Sequence, residues 1–347
     1  MIEKNYPIPN RNKEMGQQVY EYINTLAKPL GSLGRLEEIA IELAEMKNEA
    51  FPSVSPAGIL VFAADHGITE EGVSAYPQVV TKEMVHNFLD GGAGINVFGR
   101  QIDSYINIID IGVANDIEHT SLINRKIRYG TANFYREDAM TRQEAERAIE
   151  VGYEQGSEMI KKGAQCLILG EMGIGNTTAS SAILAVLSNS DVATLVGSGT
   201  GISQEILIHK TKVIKQSLQK RKPNPHDPID IIVKVGGLEI AGMAGAMLAA
   251  ATNRVPILID GFICTVAALL AKEISPNAFD YMVATHQSVE PGHRIALNLL
   301  GRKPILDLDL RLGEGTGAAI TFPILQSATL MLKEMASFDS AGISKKS

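Results

Sequence analysis

The chain has no tryptophan, only two cysteines, and 5% aromatic residues across 347 positions. The missing tryptophan excludes nothing by itself, but two cysteines cannot build a disulfide framework. Cys166 and Cys264 sit in the apolar strings Gln-Cys-Leu-Ile-Leu and Phe-Ile-Cys-Thr-Val, which predicts buried free thiols. Basic charge is also short. A net charge of −7 and a pI near 5.6 argue against a nucleic-acid binder, which needs a basic face. They leave small anions open, because backbone amides hold phosphate without side-chain charge. The apolar stretches are interrupted by Gly, Asp or Thr and are too short to cross a bilayer. The start, Met1-Ile-Glu-Lys-Asn-Tyr-Pro7, has no basic region followed by an apolar run, so no signal peptide is expected and the protein reads as cytoplasmic. Several motifs are absent: His-Glu-x-x-His, Cys-x-x-Cys, Gly-Lys-Ser/Thr and Gly-x-Ser-x-Gly. Metal sites, Walker loops and an α/β-hydrolase elbow therefore lack support.

Continuous short apolar runs are present, each ending in glycine or a polar residue. They are Gly58–Ala64 before Asp65-His66-Gly67, Ile106–Ile111 before Gly112, Cys166–Leu169 before Gly170-Glu171, Val255–Asp260 before Gly261, and Tyr281–Ala284 before Thr285-His286. Runs of this kind suit strands buried on both faces of a parallel sheet. Helical texture covers residues 11–50, with Ser32 as a candidate cap, then Thr141–Lys162, Ala241–Ala251 and Ala318–Met335. The alternation predicts an α/β fold, a doubly wound, mostly parallel sheet with helices on both faces. Ligands in such folds sit beyond the carboxyl ends of the strands. Segment 219–229, with three prolines, reads as a surface connection, and Ser337–Ser347 as a frayed tail.

Three glycine clusters carry the candidate chemistry: Gly170-Glu-Met-Gly-Ile-Gly-Asn-Thr-Thr178, Val196-Gly-Ser-Gly-Thr-Gly201 and Leu312-Gly-Glu-Gly-Thr-Gly317. Glycine brings backbone N–H groups close to a ligand, and a helix N-terminus favours phosphate. Each cluster alone is more often a structural turn. Glu171 and Glu314 are carboxylates set among glycines, where a raised pKa would make a proton acceptor, although for either one alone capping of the loop's own amides is the slightly better reading. Lys210 is a candidate phosphate partner whose plainer reading is a solvated helix face. His66, His286 and His293 read as structural hydrogen-bonding residues, the last two bracketing a loop.

Taken together the motifs resemble the nicotinate-nucleotide:dimethylbenzimidazole phosphoribosyltransferases of cobalamin lower-ligand assembly. The resemblance runs from Leu26-Ala-Lys-Pro-Leu-Gly-Ser-Leu-Gly-Arg-Leu-Glu37 nearly to the C-terminus. It passes through Ala63–Gly67, Gly72-Val-Ser-Ala-Tyr-Pro77, Gly91–Asn96, Lys234-Val-Gly-Gly237, Leu258–Phe262 and Arg311-Leu-Gly-Glu-Gly-Thr-Gly317. It implies transfer of ribose phosphate from nicotinate mononucleotide to 5,6-dimethylbenzimidazole, giving α-ribazole 5′-phosphate and nicotinate. It implies Glu314 as the catalytic base and Glu171 beside the nucleotide. Gly173, Gly175, Asn176, Thr177 and Thr178 would form the phosphate and ribose cradle, completed by Gly199, Lys210 and Ser288. Tyr76, Pro77, Met84 and Leu312 would line the acceptor pocket. Some members have glutamine where Met84 stands, so adenine, another benzimidazole or a phenol are alternative acceptors. No metal and no cofactor is implied, and a homodimer is. The expected organisation is an N-terminal helical segment (1–50) of a small domain, a large α/β domain (51–310), and a C-terminal segment (311–347) packing with the small domain. A nucleotide-binding dehydrogenase or sensor on the same sheet is the alternative from another class.

Overall fold

A computed structural model describes residues 6–344 apart from 198 and 200. Two positions of the second glycine cluster and the last three of the tail thus lie outside the described residues, as do the first five of the chain. The strands are β1 (Ala57–Ala64), β2 (Tyr105–Gly112), β3 (Leu122–Asn124), β4 (Cys166–Met172), β5 (Ile257–Ile259), β6 (Met282–Ala284), β7 (His286–Ser288) and β8 (Leu306–Leu310). Six form one parallel sheet in the order β3-β2-β1-β4-β5-β6, and β7 pairs with β8 in a second, two-stranded parallel sheet. All eight residues of β1 are buried, as the uninterrupted apolar run requires. The order reverses between β1 and β4. That switch point splays the following loops apart and opens a crevice at the strands' carboxyl ends.

Alternate residues of β1 face different helices. Gly58 and Phe62 meet the helices Arg142–Lys161 and Leu238–Thr252, whereas Ile59, paired with Ile168, faces Gly94–Gln101 and the loop before Thr316–Glu334. The doubly wound reading is thereby confirmed. Thr141 caps Arg142–Lys161 through a reciprocal bond with Glu144. The two helices on the first face interlock through glycines. A Cβ at Gly152 would stand 1.8 Å from the Gly242 carbonyl, and one at Gly245 would stand 1.9 Å from the Ile149 carbonyl. Backbone against backbone cannot yield by a rotamer change. Gly245→Ala is expected to cost about 3 kcal/mol or more in urea unfolding, the upper range for overpacking.

The amino-terminal region differs in detail from its sequence reading. It holds two helices, Lys13–Ile23 and Arg35–Lys47, not one continuous helical stretch. Gly34, not Ser32, takes the cap position of the second, without a side-chain cap bond. Glu37 instead reaches back to accept from the Leu33 amide at 2.9 Å and pairs with buried Lys28 at 2.8 Å. Both ends of the chain meet here: the Tyr22 hydroxyl donates to the Leu332 carbonyl, and Leu26 bridges Ser337. The described tail is not frayed, because Ser337 caps a short helix, Phe338–Ala341. Within segment 219–229 only residues 222–227 are a connection; its ends belong to the helices Gln204–Arg221 and Pro228–Val235. Cys166 and Cys264 are buried free thiols. Among the described residues, no helix is long and apolar enough to cross a membrane.

Candidate active site

The carboxyl ends of β1, β4 and β5 deliver Asp65-His66, Gly170-Glu171 and Asp260 to the crevice. After β4 the chain turns through Gly173, Ile174 and Gly175, the last with φ 100°, into the helix Asn176–Ser188. That helix start carries no side-chain cap; the Asn176 and Thr178 amides turn back to the Gly173 and Gly175 carbonyls, and the positive end of the helix dipole still faces the cleft. Thr81 pins the turn by accepting from the Ile174 amide at 3.0 Å. Gly173, Ile174, Gly175, Asn176, Thr177, Gly199 and Lys210 line one cleft with Val73, Ser74 and Ile202. Lys210 is 2% exposed and donates to the Thr177 hydroxyl at 2.9 Å. The solvated-face reading of Lys210 is therefore wrong: the helix Gln204–Arg221 turns this residue inward. Burial lowers its pKa to about 8 despite the opposing pull of Glu290. Thr178 is fully buried and does not line the cleft, and Ser288 is buried at the end of β7, accepting from the Glu290 amide at 3.4 Å.

Glu314 occupies the third glycine loop. Gly313, Glu314 and Gly315 have φ values of 84°, 64° and 88°, a left-handed run that is strained for the one residue with a side chain. The loop lies on β4 so closely that a Cβ at Gly170 would stand 2.0 Å from the Glu314 carbonyl. The Glu314 carboxylate is buried and accepts from the Ile95 amide at 3.3 Å, at the start of the helix Gly94–Gln101. Burial raises its pKa above the usual carboxylate range and Asp260 adds to this, while the Ile95 and Gly94 amides oppose it. Asp260 also anchors the loop, accepting from the Gly315 and Ala318 amides at 3.3 and 3.0 Å, with His286 Nδ1 3.8 Å away.

Glu171 joins the two loops. Its buried carboxylate accepts from the Asn176 side chain after the Gly173–Gly175 turn and from the Glu314 amide in the other loop. Burial first, then the charges of Glu239, Asp260 and Glu314, push its pKa up to about 8. Between its ordinary 4.5 and about 8 the folded state therefore holds a proton that the unfolded chain releases, and stability falls as pH rises through that window. Glu171→Gln removes this loss. Thermal unfolding should show the variant melting a few degrees above the parent above pH 8, with the gap closing towards pH 4.5.

The expected acceptor side is more open. Tyr76 is 50% and Leu312 60% exposed, Pro77 is exposed, and Met84 is half-buried in the helix Val79–Leu89. Leu312 covers Gly94, where a Cβ would be 3.0 Å from its Cδ2. His293 behaves as the structural histidine expected, but within the helix Pro291–Leu300 instead of a loop. Its Nδ1 accepts from the Ser288 amide at 2.8 Å, and burial lowers its pKa to about 3. Sequence reasoning gave no role to Asp260, Glu239 or Glu290. Asp260 had the same signal as Asp65, an acidic residue ending an apolar run. Glu239 was visible as a lone charge in the small apolar stretch after Gly236-Gly237.

A glycine turn with a buried lysine, tied by one carboxyl group to a second carboxylate in a strained loop at the switch point, has the make-up of an enzyme site of the doubly wound α/β class. A family model described as Phosphoribosyltransferase matches residues 8–343. A nicotinate-nucleotide–dimethylbenzimidazole phosphoribosyltransferase of Halalkalibacterium halodurans is 52% identical over 94% of this chain and 92% of its own. One of the same name from Geobacter sulfurreducens is 48% identical over 96% and 95%. A crystal structure of that enzyme from Thermus thermophilus superposes with TM-score 0.91 at 42% identity, covering 96% of this chain and all of the other. The chain belongs to this phosphoribosyltransferase family, and the dehydrogenase or sensor alternative falls.

Proposed function

We propose that the protein transfers the phosphoribosyl group of nicotinate mononucleotide to 5,6-dimethylbenzimidazole, in assembly of the cobalamin nucleotide loop. The observation that carries this reading is the double contact of Glu171, which couples the phosphate turn to the loop of Glu314. The phosphate would sit over the Gly173–Gly175 turn and the start of the helix that follows it, with Thr177, Gly199 and Lys210 closing round it. Thr178 and Ser288 would act from behind this layer. The acceptor ring would lie among Tyr76, Pro77, Met84 and Leu312, with one ring nitrogen aimed at the anomeric carbon. As the new C–N bond forms, the bond to nicotinate breaks and its electron pair neutralises the pyridinium nitrogen. The proton on the acceptor's second nitrogen passes to Glu314, which burial has made a stronger base than an ordinary carboxylate. Positioning and charge do most of the work, because the leaving group is already activated.

Chromatographic detection of nicotinate and α-ribazole 5′-phosphate from the purified chain tests this directly. Absence of both products with the two substrates present would remove the proposal. A second reading, another acceptor base, is favoured by the pliant Met84 thioether and the exposed Tyr76 and Leu312. Adenine or a phenol outcompeting dimethylbenzimidazole in a mixed assay would establish it. From the resemblance we also propose a cytoplasmic homodimer and the division at residues 51 and 311. Light scattering tests the first of these, and limited proteolysis the second.

A further inference from the structure

His66 and Glu239 form a fully buried pair that the proposed reaction does not use, with Nε2 and Oε1 2.7 Å apart. Each also keeps a buried atom without a hydrogen-bond partner, His66 Nδ1 and Glu239 Oε2, and so does neighbouring Asp65 at Oδ1. Burying an ion pair seldom adds stability, because desolvation offsets the attraction, so its presence at the switch point calls for another reason. Burial works against a charged imidazole, yet Glu239 and Asp65 outweigh it and hold the His66 pKa above its ordinary value.

The position of the pair supplies the reason. A Cβ at Gly173 would be 3.4 Å from the His66 ring, and one at Gly175 would be 3.1 Å from His66 Cβ. The same two glycines line the cleft in front, with Lys210. The wall between cleft and imidazole is thus one backbone layer thick. Of the two partners it is His66 that packs against Gly173 and Gly175, while Glu239, in the first turn of Leu238–Thr252, also contributes to raising the Glu171 pKa. Gly237 closes over both partners, a Cβ there standing 2.5 Å from the imidazole and 2.7 Å from Glu239 Oε2.

We propose that His66 and Glu239 are positioning residues for the phosphate of the nucleotide: the pair fixes the Gly173–Gly175 turn and sets a positive charge behind the amides that meet the phosphate. Neither side chain touches substrate. The inference rests on the turn being the phosphate cradle.

Glu239→Gln, with a melting curve to confirm folding, is the test. The KM for nicotinate mononucleotide and the calorimetric Kd for inorganic phosphate should both rise about tenfold or more, while kcat and the dimethylbenzimidazole KM stay within about twofold. Unchanged phosphate constants, or equal losses in kcat and in both KM values, would overturn the proposal. If the single variant does not fold, the double variant His66→Gln, Glu239→Gln retains a neutral hydrogen-bonding pair and carries the same test. Phosphate binding by the parent enzyme without nicotinate release would sink the proposed reaction and leave this inference standing. Turnover with phosphate binding indifferent to the pair would do the reverse.

Discussion

Glu314→Gln should lower kcat by about 10²- to 10⁴-fold, the usual contribution of a positioned general base, while leaving the melting temperature near that of the parent. The amide is nearly isosteric and its oxygen can still accept from the Ile95 amide, so the loop keeps its anchor. What it cannot do is accept the acceptor's proton. The pH profile adds a sign. Only the carboxylate form is a base, and burial with Asp260 holds the Glu314 pKa above the ordinary carboxylate range. The parent's kcat should therefore fall with decreasing pH at a higher pH than a free glutamate would give, and that limb should vanish in the variant. Steady-state nicotinate release from pH 5 to 8 would check both statements, and a near-parental rate in the variant would remove Glu314 as the base.

Lys210→Met should raise the KM for nicotinate mononucleotide about 10- to 100-fold with a smaller effect on kcat, because charge-assisted hydrogen bonds contribute about 1.5–3 kcal/mol. Methionine keeps the length and apolar stem, so the packing of the helix Gln204–Arg221 is retained. The ammonium is the form that binds phosphate, and burial brings its pKa down to about 8. In the parent the nucleotide KM should rise as pH climbs through about 8, while in Lys210→Met it should be flat there. An unaltered KM profile would place Lys210 outside the phosphate site.

The five apolar runs became five strands of the main sheet, because a strand buried on both faces must be apolar at every position and that demand is local. The edge strand β3 and the small β7–β8 pair escaped notice. β3 and β8 are short and partly exposed, and β7 is the polar triplet His286–Ser288, so none carries such a run. The glycine loops announced themselves for a similar reason, since left-handed φ values at Gly313 and Gly315 restrict residue type in place. Proximity of distant residues was another matter. Lys210 reads as one more cation on a polar helix until the fold sets it against Thr177, 33 positions away. His66 reads as a lone histidine until Glu239, 173 positions on, is placed beside it.

By itself, then, the sequence determined the parallel α/β architecture, the family, and the glycine-set carboxylates Glu171 and Glu314. These rest on local periodicity, backbone sterics and motif order. Only the tertiary structure decided which charges are buried and which partners they meet. Desolvation and Coulomb energy depend on what lies across the crevice, and β1, β4 and β5 bring Asp65-His66, Glu171 and Asp260 there from far apart in the chain.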